Sequence, residues 1–265
     1  MTHSRFRYPE KVSEISEICS SRLNSLLTMS QHPSHETDPR WTAVDNYSFS
    51  HLRRPSSTTL SSADLSYALT NSAQNGLPDI AVSPSQGKYL MLQAKLVKAK
   101  NILEVGTLGG YSTIWLANSS PDVQVVSVEV NSHHAGVARA NLSHAGVGER
   151  VEIKLGPGVE VLPQLAEEVK QGKRGKFQMV FIDADKENNW NYVDVAVGMT
   201  EQGGCIIVDN VVRKGLLADP NTTDPRVWGA KTVVENIGKD ERLDGVVMQT
   251  VGEKNYDGFL IAVVK

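Results

Sequence analysis

The stretch Ile102-Leu103-Glu104-Val105-Gly106-Thr107-Leu108-Gly109-Gly110-Tyr111-Ser112 opens on a short apolar run, turns through three glycines and leads into a helical pattern. Strand, glycine turn and helix in that order form the opening unit of a parallel α/β sheet, whose ligands lie at the carboxyl ends of its strands. Glycines there let a ligand come close to the backbone. The spacing Gly106-x-x-Gly109-Gly110 is not GxGxxG, so it does not support the phosphate cradle of a nicotinamide cofactor.

Downstream, apolar runs alternate with amphipathic stretches. Strands are expected at Asn101 to Val105, Val123 to Val128, Val151 to Lys154, Phe177 to Ile182, Gly204 to Val208, Gly245 to Thr250 and Gly258 to Val264. Helices are expected over about Tyr111 to Ala117, His133 to Ala145, Glu160 to Lys170, Asn189 to Val197 and Ala230 to Lys239. The last two strands are separated only by Val251 to Asp257, with its Gly252, and should form an antiparallel hairpin at one end of the sheet. The fold class is therefore α/β: a doubly wound, Rossmann-like, seven-stranded sheet, mostly parallel, preceded by N-terminal helices.

Upstream, Ser62 to Gly76 and Ser83-Pro84 to about Lys98 carry helical start and stop signals. Val12, Ile15, Ile18, Leu23, Leu26 and Leu27 lie along one face of a helix expected from Glu10 to Met29. Between them, Ser30 to Thr58 is polar and holds Pro33, Pro39 and Pro55, which reads as a mostly irregular connection. Residues 1–75 thus form a helical extension with its connection, and residues 76–265 the main domain.

Lys and Arg total 27 against 30 Asp and Glu, a net charge of −3, so the chain offers no broad cationic face to nucleic acid or anionic lipid. No run approaches the roughly 20 apolar residues of a membrane helix, and the first residues lack the apolar stretch of a signal peptide, so a cytoplasmic location is expected. Cys19 and Cys205 have neither framework nor CxxC spacing.

Three groups of residues could carry chemistry. Glu129 ends the second strand, 23 positions after Gly106, where an acid can accept both hydroxyls of a ribose and would repel a 2′-phosphate. Asp183 ends the fourth strand within Phe181-Ile182-Asp183-Ala184-Asp185-Lys186, and Asp209-Asn210 ends the fifth. Neighbouring parallel strands would bring these two carboxylates and one amide oxygen to one edge, a hard donor set suited to Mg²⁺ and unsuited to zinc. Acids at strand ends also cap helices, which accounts for any one of these more readily than for all three.

These motifs, in this order, resemble the cation-dependent O-methyltransferases, the group that includes catechol and caffeoyl-CoA O-methyltransferases and belongs to the class I methyltransferases that use S-adenosylmethionine. The resemblance spans about Ile80 to Lys265. It rests on Glu104-Val105-Gly106 with Gly109-Gly110-Tyr111-Ser112, on Glu129-Val130-Asn131, on Val180 to Lys186, on Gly203-Gly204 and on Asp209-Asn210. It implies a divalent metal on Asp183, Asp209 and Asn210, with Lys186 as the base working beside Asp183. It also implies a S-adenosylmethionine site formed by Glu104, Gly106, Gly110, Tyr111, Ser112, Glu129, Val130 and Asp183, with Val82, Gly156 and Pro157 as further lining. A homodimer is implied as well.

The activity so implied is methyl transfer to a hydroxyl of a catechol-type phenolic small molecule. A metal-independent small-molecule methyltransferase and a non-catalytic, cofactor-binding dimeric module are the alternatives. Trp190, Tyr192 and Trp228 could wall an aromatic substrate or could pack in the core. Lys186 could instead be a surface lysine paired with Glu187 or Asp185. His133, His134 and His144 lack a metal-like partner set.

Overall fold

Five strands lie side by side and parallel, and helices cover both faces of the four inner ones, whose runs are mostly apolar and buried. The computed structural model describes residues 38–52 and 60–265. The stripe from Val12 to Leu27, and Cys19, lie outside the described residues.

Three helices come first: α1 (Pro39–Leu52), α2 (Ser62–Gln74) and α3 (Pro84–Leu96). The alternating part follows as β1 (Asn101–Val105), α4 (Tyr111–Ala117), β2 (Gln124–Glu129), α5 (Ser132–His144), β3 (Val151–Leu155), α6 (Gly158–Lys170), β4 (Phe177–Ile182), α7 (Asn189–Met199), β5 (Thr200–Val208), α8 (Pro225–Ile237), β6 (Leu243–Val251) and β7 (Tyr256–Val264). Caps start the helices where the sequence places them. Ser61 and Asp64 form a reciprocal capping box on α2, Ser83 caps α3 ahead of Pro84, and Asn131 accepts from the amides of His133 and His134 at α5.

The sheet order is β3-β2-β1-β4-β5-β7-β6. The first five strands pair in parallel, and β7 runs antiparallel to both β5 and β6. Chain direction across the sheet reverses between β1 and β4, which opens a crevice at their carboxyl ends. Side chains alternate between two cores. Leu103 and Val105 pack toward α6, α7 and α8, whereas Ile102 packs toward α2, α3, α4 and α5. Leu65 and Ala68 of α2 join Tyr111 and Leu142 in that second core, so residues assigned above to the N-terminal extension pack on the sheet's own helices.

Two expectations need correction. The stretch read as irregular contains α1, because Pro39 occupies the first helical turn, where its missing N–H costs nothing, and no proline falls between it and Leu52. Helix α8 begins at Pro225 rather than Ala230, with Asp224 as its cap. Helix α1 buries no residue fully. Asp45 ties it down by accepting from Ser85 Oγ at 3.2 Å and from the backbone N–H of Glu253, in the β6–β7 turn, at 2.9 Å. Among the described residues, no helix is long and apolar enough to cross a membrane.

Candidate active site

Hydrogen bonding continues past the last residue of each central strand, and this fixes the edge where the candidate residues stand. Gly156 N–H donates to Glu129, Gly106 to Val128, Asp183 to Val105 and Asp209 to Ile182, all at 2.8–2.9 Å. The residues following β3, β1, β4 and β5 are thereby locked onto the neighbouring strand, with Glu129 at the end of β2 between them.

Gly106 cannot be replaced without strain. Its φ is +102°, and a Cβ there would stand 2.2 Å from the carbonyl oxygen of Asp183. Gly110, at φ +76°, takes the N-cap position of α4. Glu129 is buried and reaches across to the glycine turn. One carboxylate oxygen accepts from Leu108 N–H at 2.7 Å and the other from Asn131 N–H at 2.9 Å. Each carboxylate oxygen has capacity for a second donor, so the group can hold the turn and still accept ligand hydroxyls.

Glu104 stands one residue before the end of β1. It lies inside β1, on the face toward α4, has no exposed surface, and accepts from Ser112, Thr113 and Ser127 hydroxyls. Burial pushes its carboxyl up to about 7, against the opposing pull of those hydroxyls. Glu104, expected among the cofactor residues, ties the first turn of α4 to β1 through these bonds.

The other expected cofactor residues are spread around the edge. Tyr111 and Ser112 are buried in the first turn of α4, and Ser112 spends its hydroxyl on Glu104. Val82 is buried in the segment before α3. Val130 is exposed beside Glu129. Gly156, at φ +145°, follows β3, and Pro157 caps α6.

Asp183 and Asp209 come together across the β4–β5 pair, where Ile182 is in register with Val208, and Asn210 follows Asp209 at the same strand end. Asp209 is buried and accepts from Asn210 N–H at 2.8 Å and from the side chain of Gln86. Burial, and after it the neighbouring charge of Asp183, push its carboxyl well above the ordinary carboxylate range, while Lys186 opposes the shift. Lys186 is itself buried, and its Nζ lies 2.6 Å from Asp183 Oδ1. It does not pair with Asp185, which instead accepts from Tyr192 and Asn188 and so fixes the turn that carries Lys186. Helix α8 lies directly on that turn, since a Cβ on Gly229 would stand 2.0 Å from the Lys186 carbonyl oxygen.

Of the aromatic candidates, Tyr192 is core, packed against Gly158, and Trp190 packs at the edge of the same core. Trp228 is half exposed, with Lys231 Nζ 5.2 Å from its ring centre. Two residues had no signal in the sequence. Gln86 reaches Asp209 from α3, and His134 places Nδ1 3.7 Å from Glu129.

The O-methyltransferase family profile matches residues 57–262. The O-methyltransferase imqG of Aspergillus flavus is 47% identical over 233 residues, covering 87% of this chain and 94% of that protein. A catechol O-methyltransferase of Niastella koreensis is 44% identical, covering 76% of this chain and 90% of its own. The crystal structure of an O-methyltransferase from Bacillus cereus in complex with S-adenosylhomocysteine superposes with a TM-score of 0.78 at 43% identity, covering 86% of this chain and 99% of that one. On the profile match and these relatives, with the expected seven-stranded, mostly parallel sheet in place, the chain belongs to the O-methyltransferase family.

Proposed function

We propose that this protein transfers a methyl group from S-adenosylmethionine to one hydroxyl of a vicinal dihydroxy aromatic small molecule, assisted by Mg²⁺ or a similar divalent ion. The similarity to a catechol O-methyltransferase and to a structure bound to S-adenosylhomocysteine supports the donor and the acceptor class. The observation that carries the metal reading is the pair of adjacent carboxylates, Asp183 and a buried Asp209, beside the Lys186 ammonium. Two carboxylates and the Asn210 amide fit a hard oxygen-seeking cation, and a buried excess of negative charge calls for one.

When bound there, a divalent ion supplies Lewis acidity, which favours the oxyanion of a chelating phenol over its neutral form. Asp183, Asp209 and Asn210 would hold it. Lys186 Nζ stands beside Asp183, placed to accept the phenolic proton when it is the neutral amine. Glu129 would fix the ribose, and the turn from Gly106 to Gly110 would carry the methionine end of the donor close to the β1 and β4 ends. Since methyl transfer from a sulfonium is an in-line displacement, positioning by these residues supplies most of the remaining rate.

The test is turnover of a radiolabelled donor against a panel of catechols and hydroxycinnamoyl thioesters, with EDTA and then with Mg²⁺ restored. Activity that persists undiminished in EDTA removes the metal from the reading and leaves a metal-independent methyltransferase.

A further inference from the structure

We infer that the Lys186 ammonium competes with the divalent ion for Asp183, and that the ion loads only by displacing it. The inference rests on the metal reading proposed above. Lys186 Nζ lies 2.6 Å from Asp183 Oδ1, with the two side chains 10% and 24% exposed, so the ammonium holds one of the two oxygens of the carboxylate that would take the ion. A divalent ion bonded to that oxygen at about 2.0–2.1 Å would stand too near the ammonium for both positive charges to remain, in a region where solvent screens little.

The backbone cannot yield. Asp185 is gripped by Tyr192 and Asn188, and Gly229 of α8 leaves no space above the Lys186 carbonyl. Displacement therefore falls to the side chain, whose four-carbon stem is flexible. In the metal-free protein the ammonium compensates Asp183 beside the second buried carboxylate. In the loaded protein the ion takes over that compensation, and the same event releases Nζ toward the acceptor. Lys186 is on this account an internal stand-in for the cation as well as the base.

Calorimetry with Mn²⁺ alone, without donor or acceptor, tests this. K186M, which keeps the length of the side chain and removes its charge, should bind Mn²⁺ at least about tenfold more tightly than the wild type, with a lower thermal midpoint in EDTA. K186R, which retains the charge, should not gain affinity, and D183N should lose binding. Equal or weaker binding by K186M, with D183N still abolishing it, overturns the competition while leaving the metal site standing. Absence of Mn²⁺ binding by the wild type and by K186M overturns the metal reading itself, and the competition with it. K186Q gives the same comparison should K186M not fold.

Discussion

The carbonyl oxygen of Asp183 lies 2.2 Å from the point where a Cβ on Gly106 would be, so the glycine turn and the end of β4 meet with no room for a single methyl group. The proposed donor and metal halves of the site are therefore one packed unit. Their contact is made by backbone, which cannot rotate away as a side chain could.

Gly106→Ala should consequently lose about 2–5 kcal/mol of stability, from the positive φ and from forced separation of β1 and β4. Urea denaturation measures the loss, and affinity for S-adenosylhomocysteine should fall in the same variant. A midpoint equal to that of the wild type would mean that the turn relaxes without disturbing β4.

Glu129→Gln should weaken binding of S-adenosylhomocysteine by about 10- to 100-fold, the worth of a charge-assisted hydrogen bond. Glu129→Ala should do the same and also lower stability by about 1–3 kcal/mol, because the amides of Leu108 and Asn131 lose their acceptor. Calorimetry separates the two effects. An unchanged dissociation constant in both variants would place the ribose elsewhere.

Asp209→Asn should lower Mg²⁺-dependent turnover by about 100-fold or more, since removal of a ligand should cost at least what removal of a ligand's supporting partner does. Its affinity for S-adenosylhomocysteine should persist. In EDTA its thermal midpoint should rise, because a carboxylate buried next to Asp183 has been made neutral. Unaltered activity in the presence of EDTA would contradict the proposed role.

Glu104 makes stability depend on pH in a defined direction. Its carboxyl holds a proton up to about 7 in the folded chain and releases it near 4.5 when unfolded, so the folded state binds more protons between those values. Stability should fall as pH rises through that window, by up to about 1.4 kcal/mol per unit from this residue. Glu104→Gln should remove that share of the slope in urea midpoints measured in EDTA from pH 5 to 7. Identical slopes in the two proteins would mean that the hydroxyls of Ser112, Thr113 and Ser127 keep the carboxylate ionised.

The parallel strands were legible because burial on both faces leaves apolar runs such as Met179 to Ile182, and the β6–β7 hairpin because no helix-length segment separates its strands. Helix α1 was not. Its apolar residues, among them Trp41, Val44, Tyr47 and Phe49, fall on different sides of the helix, so no stripe betrays it, and the prolines near it read as breaks when one of them is a start. For α8 the signal was present in Asp224-Pro225, a cap followed by a first-turn proline. In the site, Asp183, Lys186, Asp209 and Asn210 were readable as residues at adjoining strand ends. That Glu104 bonds Ser112, Thr113 and Ser127 while Glu129 grips the glycine turn was not, because it depends on strand parity and on where β2 stops. The reach of Gln86 to Asp209 joins elements remote in sequence, and no local pattern encodes it.

The Asp45 clamp has a kinetic consequence. It joins a helix near the start of the described chain to a turn near its end, across 208 positions, and little buried apolar surface backs it. A contact of that span can form only after the sheet between its partners exists, and it can open without melting anything else. Amides of α1 should therefore exchange with deuterium by local opening, orders of magnitude faster than those of β1, leaving this helix the last element to assemble and the first to let go.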